Sequence, residues 1–269
     1  MSVPPIVTHV GHASWGDNLY RGYGVLNDLA GTDGFWSMIS MSLGGPRLDA
    51  RQTRVLDELS TCSFAADPRV WPMKAVRMGA AFGSVTAGIC VGLLAVDHAR
   101  MGPAIAGGAA TIFVELMPPG SVAPTTEALH AKLDSLVASG QRLDGFGVPF
   151  RPRDERVDAL RRCFAAHPED EGPYWRLMNA VDEYLAENHR LPINIAGAAA
   201  AVALDLGFRP RQITHLPAAL LLSNFLANAY EGAAQRPAVL QQLPDTAIEY
   251  VGEPDRQSPR ALAAARTDT

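Results

Sequence analysis

Cysteine, strong charge of either sign and strand-like alternation are all scarce in this 269-residue chain, and each scarcity excludes something. The three cysteines, Cys62, Cys90 and Cys163, are an odd number, widely spaced, with no C-x-x-C pair. That argues against a disulfide framework or a structural zinc site and makes a reducing, cytoplasmic setting the expectation. Charged residues are 19% of the sequence and the formal net charge is −5, which argues against a nucleic-acid partner, since such proteins carry a basic patch. With 48% hydrophobic residues the chain cannot be wholly disordered. Its length suffices for one large domain or two modest ones around a real core.

The start, Met1 to His12, lacks the basic-then-apolar order of a signal peptide. Met78 to Val96 is uncharged over 19 residues, close to the lower length needed to span a bilayer. It is rich in Gly and Ala and flanked by Lys74, Arg77 and Asp97, so it reads as a helix buried in the core or across a subunit interface, not as a membrane span. Elsewhere the long Ala-rich apolar runs favour helices. Helical spacing is expected over Leu48–Leu59, Thr125–Ser139, Arg156–Ala166, Tyr174–Asn188, Ile195–Leu206 and Pro210–Tyr230, with Pro and Gly in the connections. The expected fold is all-α: one helical domain over 1–240 and an extended C-terminal arm or tail over 241–269.

Among the seven histidines there is no H-E-x-x-H and no i, i+4 pair, so no metal is expected; His9 and His12 lack acidic neighbours, and His130 and His189 read as solvated. No G-x-S-x-G, P-loop or G-x-G-x-x-G occurs, which leaves hydrolase, nucleotide-triphosphate and dinucleotide readings without support. Gly107-Gly108 reads as a short loop. After Gly145-Phe146-Gly147, however, Arg151, Arg153 and Arg156 surround Asp154 and Glu155. Such a cluster can grip a phosphorylated ligand, or it can be a solvated helix start that continues into Arg161 and Arg162. Charge alone leaves both open.

Several segments taken in order resolve more than any one of them. They are Leu19-Tyr20-Arg21-Gly22-Tyr23 through Leu29, a helical hairpin over Trp36–Pro46 and Leu48–Leu59, and Gly102-Pro103-Ala104-Ile105-Ala106-Gly107-Gly108-Ala109. Gly145-Phe146-Gly147-Val148 through Arg156, Leu191-Pro192-Ile193-Asn194-Ile195-Ala196, and Tyr250-Val251-Gly252-Glu253-Pro254-Asp255-Arg256 follow. In this order the chain resembles the citrate synthase superfamily, in the short form of citryl-CoA lyases. The resemblance implies a helical homodimer with a smaller subdomain at about 120–210, and an interface that includes Met78–Val96.

It also implies chemistry at a coenzyme A thioester. A carboxylate removes the alpha proton, and histidines donate hydrogen bonds to the enolate. The carboxylate falls on Asp154. The histidines do not survive: their positions carry Ile105 or Ala106, Val148, and the Asp67-Pro68-Arg69 region, and Leu221 stands near the family's carboxylate-gripping arginine. Citrate synthesis itself is therefore not expected. One reading is an acyl-CoA-dependent carbon–carbon lyase or acyltransferase acting on an altered partner substrate. In it Asp154 is the base, Asp67 and Arg69 assist, and Gly147, Arg151, Arg153 and Arg156 hold coenzyme A. Trp71, Lys74, Asn194 and Asn228 line the substrate. The other reading is an inactive homologue that binds coenzyme A as a regulatory subunit. Asn194 also suits a helix N-cap. Asn224 and Asn228, four apart on one helix face, either satisfy each other or face a polar cavity. Trp15, Trp36 and Trp175 are expected to anchor the core or an interface.

Overall fold

Two tight hairpins, rather than a helix, open the chain in the computed structural model, which describes residues 5–65, 67–97, 102–149, 151–235, 242–253 and 258–260. Strands β1 (Gly11–Ser14), β2 (Asp17–Tyr20) and β3 (Tyr23–Gly24) form one antiparallel sheet in that order. Arg21 and Gly22 both take positive φ, 52° and 90°, as the two-residue turn between β2 and β3 requires. The Asp17 carboxylate accepts from the N–H of Leu26 and from Asn27 Nδ2, both at 2.8 Å, tying the sheet to a single π-helical turn over Val25–Leu29. This small sheet and an isolated bridge between Phe146 and Ile193 are the β-structure among the described residues. Trp15 sits at a hairpin tip and is fully exposed, so it anchors no core.

The helices are α1 (Phe35–Ser42), α2 (Ala50–Cys62), α3 (Trp71–Ala80), α4 (Val85–Val96), α5 (Pro103–Leu116) and α6 (Thr126–Ala138). They continue as α7 (Glu155–Ala166), α8 (Pro173–His189), α9 (Ile195–Asp205), α10 (Pro210–Ile213), α11 (Leu216–Leu220) and α12 (Leu222–Ala234). Asp49 and Gln52 start α2 with a reciprocal capping box, and Val55, Leu56 and Leu59 form its buried face.

Three expectations need correction. The apolar run Met78–Val96 is two helices, because Gly83 at φ +88° turns the chain back and makes α3 and α4 a hairpin. Gly107-Gly108 is the interior of α5, where Ala106, Ala109, Ala110 and Phe113 are buried. The expected helix over 210–230 is three, with Pro217 in the first turn of α11.

Most buried side chains form one core, in which α5, α8 and α9 meet; Ala198, Ala200, Ala201 and Ala203 of α9 are fully covered, and Phe164 stacks on Trp175 at 4.0 Å. Met73, Val76, Ala80, Val96, Phe225 and Ala229 make a second, smaller core between α3, α4 and α12. Among the described residues no helix is long and apolar enough to cross a membrane. Near the C-terminus, among the described residues 242–253, Ile248, Tyr250 and Val251 are exposed. His98 and the closing Pro254-Asp255-Arg256 lie outside the described residues.

Candidate active site

The loop after Gly145 is pinned to the start of α9. Gly145 and Gly147 hold φ of +85° and +83°, a conformation in which a side chain is strained. A Cβ on Gly145 would also sit 2.7 Å from Ala109 Cβ and 2.8 Å from Gly197 Cα, so the loop wedges between α5 and α9. The Gly145 carbonyl accepts from Asn194 N–H at 2.9 Å, and Gly147 N–H donates to the Pro192 carbonyl at 2.7 Å. Asn194 is the N-cap of α9: Oδ1 accepts from Ala196 and Gly197 N–H, and Nδ2 donates to the Gly147 carbonyl at 3.1 Å. Its side chain is therefore engaged in backbone bonds.

Asp154 closes the other end of that loop. Oδ1 accepts from the backbone N–H and Nε of Arg156, at 3.2 and 2.8 Å. Oδ2 accepts from Arg156 Nη2 at 2.8 Å and from Ile195 N–H at 2.9 Å. One carboxylate thus caps α7 and bonds the first residue of α9, with its side chain 2% exposed. Burial works to raise its pKa, but the Arg156 guanidinium and the Ile195 N–H outweigh burial and hold it below the usual carboxylate range. Asp154 is charged.

The other loop arginines have carboxylate partners as well. Arg151 pairs with Glu155, and Arg153 with Asp158 at 3.4 Å. Both arginines are more than half exposed, so these pairs hold weakly. Next to the loop, and unmarked by any sequence signal, Asp144 presses its carboxylate against α5 at Gly108, where any side chain would collide with it.

The remaining candidates stand just before α3, on α3 and on α12. Asp67 and Arg69 bond each other, Nε to both oxygens at 3.1 and 2.9 Å, and the guanidinium holds the carboxyl down at about 2. Trp71 and Lys74 lie in the first turn of α3. On α12, Asn224 and Asn228 are buried; Asn224 Oδ1 accepts from Ala65 N–H at 2.9 Å, and Asn228 Nδ2 donates to the Asn224 carbonyl at 3.2 Å. Asn224 Nδ2 finds no partner. So Asp154, Gly147, Arg156 and Asn194 meet at the start of α9, whereas Asp67, Arg69, Trp71, Lys74 and Asn228 belong to the α3–α12 side. His189 is not simply solvated: Nε2 lies 2.7 Å from Asp134 Oδ1, beside Tyr184, on which His130 stacks. Among the described residues no group of three or more His, Cys, Asp or Glu is placed to hold a metal ion.

By sequence alone, no family model and no curated protein matches the chain. Solved structures do. The citryl-CoA lyase of Hydrogenobacter thermophilus superposes with a TM-score of 0.77 at 21% identity, over 96% of this chain and 99% of that one. This is a citrate synthase-like fold. The ATP citrate lyase of Methanothrix soehngenii, solved with citrate and coenzyme A, matches at TM-score 0.69 and 18% identity, covering 97% of this chain but 44% of its own. Citrate synthase from Thermotoga maritima matches at 0.60 and 16%, over 78% and 56%. Within this citrate synthase-like fold, Ile105 and Ala106 are buried apolar residues on α5 and offer no donor where the resemblance places a histidine.

Proposed function

We propose that the chain is an acyl-CoA-dependent carbon–carbon lyase or acyltransferase of citryl-CoA lyase type, working as a homodimer on a partner substrate other than oxaloacetate. The observation that carries this is Asp154: a buried carboxylate, kept ionised by Arg156 and the Ile195 N–H, between the glycine loop and the start of α9. An ionised carboxylate can take the alpha proton of a bound thioester, and displacement of Arg156 by that ligand would raise its basicity. Arg151 and Arg153 fit the phosphates of coenzyme A, because their weak surface pairs can be exchanged for phosphate oxygens. Gly147, with no side chain, leaves space on the loop beside them, although both its backbone groups are bonded within the protein. Asp67, Arg69, Trp71, Lys74 and Asn228, all of the α3–α12 side, are the proposed contacts to the second substrate. A carboxylate clamp is missing near Leu221, which is why that substrate is taken to lack two carboxylates.

Dimerisation belongs to the same reading, because Thr86, Cys90 and Leu94 leave one stripe of the apolar α4 exposed. Three free thiols, Cys62, Cys90 and Cys163, suit a cytoplasmic enzyme.

A second reading, a binding subunit without catalysis, is favoured by one fact: all of Asp154's hydrogen bonds are already made within the protein. Exchange of the acetyl-CoA methyl protons with deuterated solvent separates the two. The enzyme reading expects exchange faster than in free acetyl-CoA and its loss in Asp154→Asn; equal rates for wild type, variant and free thioester leave the subunit reading.

A further inference from the structure

We infer that Asp144 is a second catalytic carboxyl group, which donates a hydrogen bond to the thioester oxygen while Asp154 removes the alpha proton. This rests on the acyl-CoA reading above. The two aspartates bracket the same two residues from opposite ends of one loop. Gly145, adjoining Asp144, accepts from Asn194 N–H through its carbonyl, and Asp154 accepts from Ile195 N–H, each at 2.9 Å.

The Asp144 side chain lies on α5 at Gly108, three residues and so about one helical turn after Ile105, on the same face. That helix lacks the imidazole which the resemblance leads one to expect at Ile105 or Ala106. A carboxyl reaching in from the neighbouring loop returns a polar group to the same surface, and Gly108 leaves the space it occupies.

The two groups differ in how they are held. Asp154 is 2% exposed and takes four hydrogen bonds. Asp144 is 29% exposed and faces Arg142 Nε at 3.4 Å, across an ion pair whose arginine is more than half exposed. With a thioester bound, the two carboxyl groups would face one substrate, and of such a pair the better hydrogen-bonded one keeps the charge and the other takes the proton. Burial already raises the Asp144 carboxyl, and Arg142 offsets this only in part. A thioester laid on Gly108 would strip the remaining water and push the same way. The proton count then closes. The alpha carbon gives its proton to Asp154, and the thioester oxygen, gaining negative charge, takes up the Asp144 hydrogen bond. Both shifts reverse when the enolate carbon recovers its proton. When it attacks a carbonyl of the partner instead, the thioester C=O re-forms and releases the Asp144 hydrogen bond, and the proton held by Asp154 passes to the new alkoxide oxygen.

The test is acetyl-CoA proton exchange in deuterated buffer with the full chain, across pH. Asp144→Ala is expected to slow exchange about 10²- to 10³-fold, the usual cost of one oxyanion donor. Asp144→Asn keeps an N–H donor, so it should retain most of the rate and lose the alkaline fall-off of the wild type. Gly108→Ala, whose Cβ would collide with Asp144 Oδ2, should displace the carboxylate and slow exchange.

Wild-type exchange no faster than free acetyl-CoA would sink both the acyl-CoA reading and this one. Wild-type exchange that survives Asp144→Ala would sink this inference and leave Asp154 as the base. If Asp144→Ala fails to fold, the pH profile of Asp144→Asn decides: an unchanged alkaline limb overturns the proposal.

Discussion

Asp205, the last residue of α9, caps α8 from outside that helix: its two oxygens accept from the N–H groups of Tyr174 and Trp175 at 2.9 and 2.7 Å. Gly172 precedes α8 because a side chain there would collide with the same carboxylate. Burial pushes Asp205 up to about 6, against the two backbone bonds. The unfolded chain releases this proton near 3.8. Between the two values the folded state therefore binds more proton, and this residue's contribution to stability falls as pH rises. Asp205→Asn cannot titrate and loses one of the cap bonds. Its deficit relative to wild type should shrink by about 1–3 kcal/mol between pH 4 and pH 7. Urea melts of both proteins across that range check it; a constant difference contradicts it.

Close packing of the smaller core depends on glycine. A Cβ on Gly92 would lie 2.6 Å from Val76 Cγ2 and 2.8 Å from Phe225 Cγ. Gly92→Ala should cost about 1–3 kcal/mol despite the better helix propensity of alanine. Thr86→Ala, on the exposed face of the same helix, should stay within about 0.5 kcal/mol. Paired denaturation curves read both.

The outward stripe of α4 predicts self-association. Leu94 is 75% exposed and Phe82, in the turn before α4, 72%. Burying one such side chain is worth about 1.5–3 kcal/mol. Sedimentation should show a dimer for wild type, and Leu94→Glu should weaken it at least about tenfold. A wild type that sediments as a monomer when dilute removes the interface.

Arg151 and Arg153 carry the affinity prediction. Charge-assisted contacts to phosphate are worth about 1.5–3 kcal/mol each. Changing both to alanine should lower coenzyme A affinity more than tenfold in calorimetry, and raised salt should weaken wild type more than the double variant. Unchanged affinity places the ligand elsewhere.

What could be read from the amino acids, and what could not, divides along physical lines. The helices with one apolar face, such as α2 with Val55, Leu56 and Leu59, were legible because burial is periodic there. Asn194 as a cap was legible from residue type and position. The sheet was not, since neither Gly11–Ser14 nor Asp17–Tyr20 contains a β-branched residue, and its pairing rests on turns at Trp15-Gly16 and Arg21-Gly22. The break between α3 and α4 was hidden because Ala81, Phe82 and Gly83 continue the uncharged run. Asp154 stood out by its neighbours in sequence. Asp144 did not, because what distinguishes it is a glycine on another helix, 36 positions away.

The anchoring of the glycine loop has a consequence for how such a protein diverges. One end is bonded to Pro192 and Asn194 and the other to Ile195, so the frame belongs to α9 and not to the residues in between. A residue can be gained or lost in that span without shifting either terminus. Insertion, deletion or substitution can then accumulate inside the span while Asp144 and Asp154 at its ends stay in register. On the acyl-CoA reading proposed above, grafting a foreign 148–153 segment onto these fixed ends is a route to a new acyl donor.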